Sequence, residues 1–250
     1  MKDANVVDGA ATMVADATVE GRSGKKIALM TWFSYHNYGS ALQVAATCHA
    51  IRGLGHEVDV IDYAPTGKYV SRPVWNGGVE EFGMLVQKGI SKLSRRNYVS
   101  EARERLFEEF LANNLSMTTP CPTQAELEGL NDNYDTFVCG SDQIWAPSVF
   151  DPHYFLDFAG DDRLKVAYAP SVGLPRVDDP DVARQMARVC SRINRLSTRE
   201  ESGSQIISDL TGREVSTVVD PTLLVGGDEW KYLAGNTTIA DRGPYLLAYM

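Results

Sequence analysis

The sequence offers little that would hold a metal, cross a membrane or bind nucleic acid. Its 250 residues include only four cysteines and four histidines. Cys48, Cys121, Cys139 and Cys190 form no Cys-x-x-Cys pair and the histidines are scattered, so zinc-ligand spacing is missing. The cysteines read instead as reduced thiols, three of them (Cys48, Cys139, Cys190) within apolar or helical patterns, as expected of a cytoplasmic protein. No apolar run is long enough to span a bilayer. Lys and Arg number 24 against 33 Asp and Glu, a formal net charge of -9. Only residues 92–96 gather positive charge, which excludes the basic footprint that nucleic acid requires. A G-x-G-x-x-G fingerprint is missing from the loop at 36–43. Asp62, placed at a strand end like a ribose-binding acid, therefore does not indicate a nicotinamide enzyme. Residues 1–24 are small, polar and acidic, without the charged start and apolar centre of a signal peptide, and are expected to be a mobile tail.

What is present is an alternation of strands and helices. Residues 27–32 read as a buried strand and are followed by the aromatic, polar loop FSYHNYGS (33–40). From 41 to 54 the pattern is helical, with Ala41, Val44, Ala45, Cys48 and Ile51 on one face, and Gly53 and Gly55 end it. Residues 56–63 alternate as a strand. Such a crossover is almost always right-handed and its strands parallel. Gly39 permits close backbone approach to a ligand. The amides of Gly39, Ser40 and Ala41 at the helix start are expected to face an anion. A long loop spans 64–78. Helices are expected at 80–93, 98–113, 123–130 (capped by Thr123, with Glu126 three residues on), 181–190 and 200–210. Further strands are expected at 134–139, 165–169, 195–198 and 214–219. The fold class is α/β: a doubly wound, mostly parallel, Rossmann-like sheet.

A second polar cluster follows a strand at FVCGSDQIW (137–145). The apolar run stops at Gly140, and Ser141, Asp142, Gln143 and Trp145 follow almost without spacing. Ligands of open parallel sheets bind beyond the carboxyl ends of the strands. The competing reading is a turn in which Ser141 or Asp142 caps a helix. Asn37, Gly39 and Ser40 form the equivalent junction after the first strand, either contacting a ligand or making a capped turn. His36 in that loop is a phosphate contact or simply exposed. Arg199, at the end of the strand at 195–198, suits a carboxylate or phosphate, or pairs with Glu200, Glu201 or Asp220. Asp220 before Pro221 is a strand-end carboxylate or a turn former. Ser171 ends another strand. Trp145 stacks on a sugar or belongs to the core.

Taken together, residues 31–43, VIDY (60–63), GSDQIW (140–145), YFLDF (154–158), KVAYAPS (165–171), LSTREESG (196–203) and VVDPTLL (218–224) resemble the polysaccharide pyruvyl transferase family in order and spacing, from about residue 26 onward. The resemblance implies transfer of a pyruvyl group from phosphoenolpyruvate to sugar hydroxyls, forming a ketal without a metal or cofactor. Asp142 and Arg199 are then the expected catalytic residues. Substrate contacts are expected from His36, Asn37, Gly39, Ser40, Gly140, Ser141, Gln143, Trp145, Ser171 and Asp220. The implied partners are the donor and a glycan or lipid-linked acceptor, with peripheral membrane association only through the acceptor. It also implies a GT-B-like architecture: a first domain at 25–240, and a second beginning at 241–250, where PYLLAYM (244–250) reads as a strand. The chain is then expected to be the N-terminal half of a longer protein and inactive alone. A GT-B-like glycosyltransferase using a nucleotide sugar, or a non-catalytic sugar-binding module, are the alternatives.

Overall fold

A computed structural model describes residues 24–33, 37–63 and 100–235. The expected tail at 1–24 falls almost wholly outside the described residues. So do His36, the loop at 64–78, the helix at 80–93 and the strand at 244–250.

Four parallel strands form the central sheet: β1 (Lys26–Met30), β2 (Glu57–Val60), β3 (Thr136–Cys139) and β4 (Leu164–Ala167), in the order β2-β1-β3-β4. The register pairs Leu29 with Val60 on one side and with Val138 on the other, and Val138 with Val166. A short parallel pair, β5 (Ser197–Thr198) and β6 (Ser216–Thr217), continues from β4 through an isolated parallel bridge between Val166 and Arg195. The strands expected at 134–139 and 214–219 are thus shorter than their apolar runs. Their flanks still bond to the neighbouring strands: the amide of Asp135 donates to the carbonyl of Lys26 in β1, and the amide of Val218 to the carbonyl of Thr198 in β5.

Both faces of the sheet are covered, and the strands are apolar on both sides for that reason. On one face Ile27, Leu29, Val60 and Val138 pack with Val44 and Cys48 of α1 (Tyr38–Gly53), and Leu111 of α2 (Ser100–Asn114) joins them. On the other, Ala28, Met30, Phe137 and Cys139 pack beneath α3 (Gln124–Gly129), α4 (Pro180–Ser191) and α5 (Glu201–Thr211), which contribute Leu127, Met186 and Ile207. This is a doubly wound, Rossmann-like α/β fold. The Thr123–Glu126 capping box starts α3, as the sequence predicts, and Gly212 in the left-handed region ends α5.

Helix α1 differs from expectation in two ways. It begins at Tyr38, because Asn37 caps it: the side-chain oxygen of Asn37 accepts from the amides of Gly39 and Ser40. It is also buried on nearly all sides between Ser40 and Cys48. Its outer surface lies under the 3-10 turn Pro221–Leu224 and α6 (Gly227–Ala234), an element with no expected counterpart. Ala41, Ala45 and Ala46 let these layers approach closely, and Ala46 packs on Val225 and Leu233.

All four cysteines are buried free thiols. Burial pushes the Cys48 thiol up to about 12. No helix among the described residues is long and apolar enough to cross a membrane.

Trp145 is fully buried, stacks on Phe155 at 4.8 Å between ring centroids, and donates its indole N–H to the carbonyl of Tyr154. Trp145→Ala should therefore cost about 3–5 kcal/mol in urea unfolding. Nearby, His153 Nδ1 lies 2.7 Å from Asp157, with buried Asp151 beside it. Burial would lower the pKa of His153, but the hydrogen bond and charge of Asp157 outweigh it and raise the value. A raised folded-state pKa favours the protonated form. The stabilisation is therefore complete below the unfolded value of about 6.5 and fades as pH rises through the folded one. Melting temperature should fall with rising pH across that window, and Asp157→Asn should flatten the fall.

Candidate functional site

The sheet grows from β1 to β2 in one direction and from β1 to β3 in the other. Loops leaving the carboxyl ends of β1 and β3 therefore diverge, and a crevice opens between them. A cavity of about 480 Å³ occupies this position. Asn37, Gly39, Ser40, Leu42 and Gln43 line it from the start of α1, and Asp142 from the loop after β3. Arg199, Asp220, Thr222 and Trp230 close it from the far side.

Asp142 and Ser40 meet across the crevice. The Ser40 hydroxyl donates to Asp142 Oδ2 at 2.5 Å, and the Gln143 amide donates to Asp142 Oδ1 at 2.8 Å. Both carboxylate oxygens thus have a protein donor, yet each retains further acceptor capacity. The Asp142 backbone is held at φ 68°, in the left-handed region. Non-glycine residues adopt this conformation at a cost of order 1 kcal/mol and keep it where surrounding structure enforces it. Here the carbonyl of Asp142 accepts from the amide of Ser171, and the carbonyl of Ser171 accepts from the amide of Trp145. Gly140 precedes it at φ 115°, where a Cβ would stand 2.0 Å from the carbonyl oxygen of Tyr168. That contact, rather than a ligand, requires glycine at this position.

A buried amide joins the two loops. Gln43 donates through Nε2 to Thr31 Oγ1 and to the carbonyl of Trp32, both at 2.9 Å. Its Oε1 accepts from the amide of Ser141 at 3.1 Å, and Thr31 Oγ1 donates to the carbonyl of Ser141. Every polar atom of the Gln43 side chain is thereby used to fix the peptide that carries Asp142. Sequence reasoning missed Gln43. Its only signal is a lone amide beside the apolar stripe of α1.

On the far wall, Arg199 pairs with Asp220 at 2.9 Å, selecting one of the three partners its position allowed. Asp220 Oδ1 also accepts from the amide and hydroxyl of Thr222. Burial would raise the Asp220 pKa, but the Thr222 hydrogen bonds and the Arg199 guanidinium hold it below the usual carboxylate value. The guanidinium is therefore already compensated. Glu200, named from sequence only as a candidate partner of Arg199, instead accepts at Oε1 from the hydroxyl of Ser171 and the amides of Val172 and Gly173, and so braces the turn behind Asp142.

The crevice thus gathers Asn37, Gly39, Ser40, Asp142, Arg199 and Asp220. Ser141 and Ser171 lie behind it as buried braces, and the Ser141 hydroxyl donates to the carbonyl of Ala169. Gln143 is exposed and lies against Gly173, outside the cavity wall. Trp145, wholly in the core, has no face to offer a sugar. The amides expected to face an anion are also engaged: Gly39 and Ser40 donate to the side chain of Asn37, and Ala41 to its carbonyl. The helix start is satisfied by its own cap. Among the described residues, no group of three or more His, Cys, Asp or Glu is gathered to hold a metal ion.

Gln43→Leu, which strands the Ser141 amide in the interior, should cost roughly 1–3 kcal/mol in denaturant unfolding. Gln43→Glu keeps the acceptor for Ser141 but buries a carboxyl against the carbonyl of Trp32, and should cost at least as much at neutral pH and less at acid pH, where the protonated group can donate.

A search of curated proteins finds no match. A scan against family models matches residues 37–246 to the polysaccharide pyruvyl transferase family. The matched span takes in both loops of the crevice, from the Asn37 cap through Asp142 to the Arg199–Asp220 pair, and covers most of the chain, which belongs to the polysaccharide pyruvyl transferase family.

Proposed function

We propose that this chain contributes the acceptor side of a site that transfers a pyruvyl group from phosphoenolpyruvate to two hydroxyls of a sugar. The observation that carries this reading is the Ser40–Asp142 contact at the switch point of the sheet. It sets a carboxylate with spare acceptor capacity at the mouth of a cavity whose described charges are Asp142, Asp220 and one compensated guanidinium. Such a wall suits a neutral, hydroxyl-rich acceptor better than an anionic donor.

The chemistry balances as follows. The enol carbon C3 of the donor gains a proton and becomes a methyl group, and C2 gains cationic character. Two sugar oxygens bond to C2, and the bond from C2 to the phosphate oxygen breaks. Of the two hydroxyl protons, one is matched by the proton taken up at C3 and the other leaves on inorganic phosphate. Asp142 accepts a proton from an attacking hydroxyl, with Ser40 orienting the carboxylate. Arg199, its charge matched by Asp220, shapes the far wall of the cavity, and on this reading the donor's anionic groups fall to other residues.

Phosphate release from phosphoenolpyruvate by the native-length protein should depend on a glycan acceptor. Asp142→Asn should lower kcat by about 10²–10⁴-fold while leaving the fold intact by circular dichroism. Ser40→Ala should lower it less. Release that ignores the acceptor, or a fully active Asp142→Asn variant, would sink the reading.

A further inference from the structure

Among the described residues lining the crevice, Trp230 is the one aromatic side chain. Its helix is firmly seated. Leu233 and Val225 pack on Ala46 of α1, with Trp230 against the same cluster. Glu229 accepts from the amide of Gly226 at 2.6 Å and lies 3.1 Å from His49 Nε2. The indole N–H of Trp230 donates to the carbonyl of Thr222 at 3.3 Å. The polar edge of the ring is therefore engaged with the protein, and what Trp230 offers the cavity is apolar ring surface.

The surroundings narrow what that surface would meet. Asp220, Thr222, Asp142 and Ser40 line the same cavity, all able to accept hydrogen bonds from hydroxyls. The described charges of the lining sum to one negative, since Arg199 is matched by Asp220 and Asp142 remains. An anionic group gains nothing here. A pyranose ring fits: one face carries C–H bonds with slight positive character that complement the negative face of an indole, while its rim carries hydroxyls for the carboxylates.

We propose that Trp230 is the platform on which a neutral hexopyranose ring of the acceptor stacks, presenting its hydroxyl rim to Asp142. This rests on the reading of the site as one that takes a sugar acceptor, but not on the identity of the donor. It also moves the sugar-stacking role from Trp145, where the sequence suggested it, to a residue far along the chain that lines the crevice.

The test is binding without donor. Methyl hexopyranosides of gluco, galacto and manno configuration are titrated into the native-length protein. Saturation-transfer NMR reads the sugar ring protons, and the Trp230 indole N–H resonance, assigned by its loss in Trp230→Phe, reads the protein. At least one pyranoside should shift that resonance and receive saturation on one ring face. Trp230→Phe, which keeps an aromatic face, should retain most of the affinity. Trp230→Leu, which keeps the apolar packing without the π face, should weaken it about tenfold, equivalent to about 1.4 kcal/mol. Circular dichroism and melting curves report whether each variant folds, and the wild-type resonance stands as a readout independent of them.

Unchanged affinity in folded Trp230→Leu, failure of the wild type to bind any pyranoside, or displacement of the sugar by uridine diphosphate with saturation on its base would overturn the proposal. Phosphate release from phosphoenolpyruvate, measured on the same preparation, separates the two readings. Trp230-dependent sugar binding without any release supports the platform and defeats the donor assignment. Acceptor-dependent release with an unaltered acceptor KM in Trp230→Leu defeats the platform alone.

Discussion

Parallel pairing of β1 with β3 reverses the direction in which the sheet grows, and the crevice exists because of that reversal. Ile27 to Met30 pair with Thr136 to Cys139 across more than a hundred residues of chain, while β2 lies on the opposite side of β1. Loops that leave the same end of neighbouring strands then turn to opposite faces, and the space between them stays open. Gln43 makes this arrangement rigid. Its amide is the common partner of Thr31, Trp32 and Ser141, so the two loops cannot shift independently without leaving buried polar groups unpaired. The left-handed Asp142 is tolerated on the same account, since its neighbours on both sides are fixed through Gly140, Gln43 and Ser171.

Electrostatics divides the work of the cavity. A carboxylate lies on one wall and a matched Arg–Asp pair on the other, with a helix start already satisfied by its own asparagine. An exposed helix N-terminus or an unpaired guanidinium would attract phosphate; neither is offered by the described walls. This is the physical basis for proposing these walls as the acceptor side and for leaving an anionic donor, in that proposal, to other groups. The Arg199–Asp220 pair has a positional value beyond its charge: with Thr222 also bonded to Asp220, it locks the 3-10 turn that carries the chain over α1 to Trp230.

Local pattern was legible where one physical rule acts alone. Apolar runs marked β1, β3 and β4, that of β3 stopping at Gly140, and the Thr123–Glu126 pair marked a helix start. That Asp142, Ser40 and Asn37 come to the crevice was legible because the crevice of such a sheet opens beyond its strand ends. Trp145 shows where this reasoning stops. It follows Asp142 by three residues, but the chain turns inward after Gln143, and the indole finds Phe155 and the carbonyl of Tyr154 instead of the crevice. Trp230 shows the converse, since nothing near it in sequence points to the loops it faces.

By itself, then, the sequence determined the alternation of strands and helices, the doubly wound class, the family and the two polar loops, because hydrophobic period, capping and glycine placement are local properties of the chain. Only the tertiary structure decided which polar residues face the crevice and which brace it from behind. It buried Ser141 and Ser171, chose Asp220 over two glutamates as the partner of Arg199, and brought Gln43 and Trp230 to the site. Those outcomes depend on which surfaces remain free once distant segments have packed, and contacts between residues far apart in the chain leave no periodic trace in it.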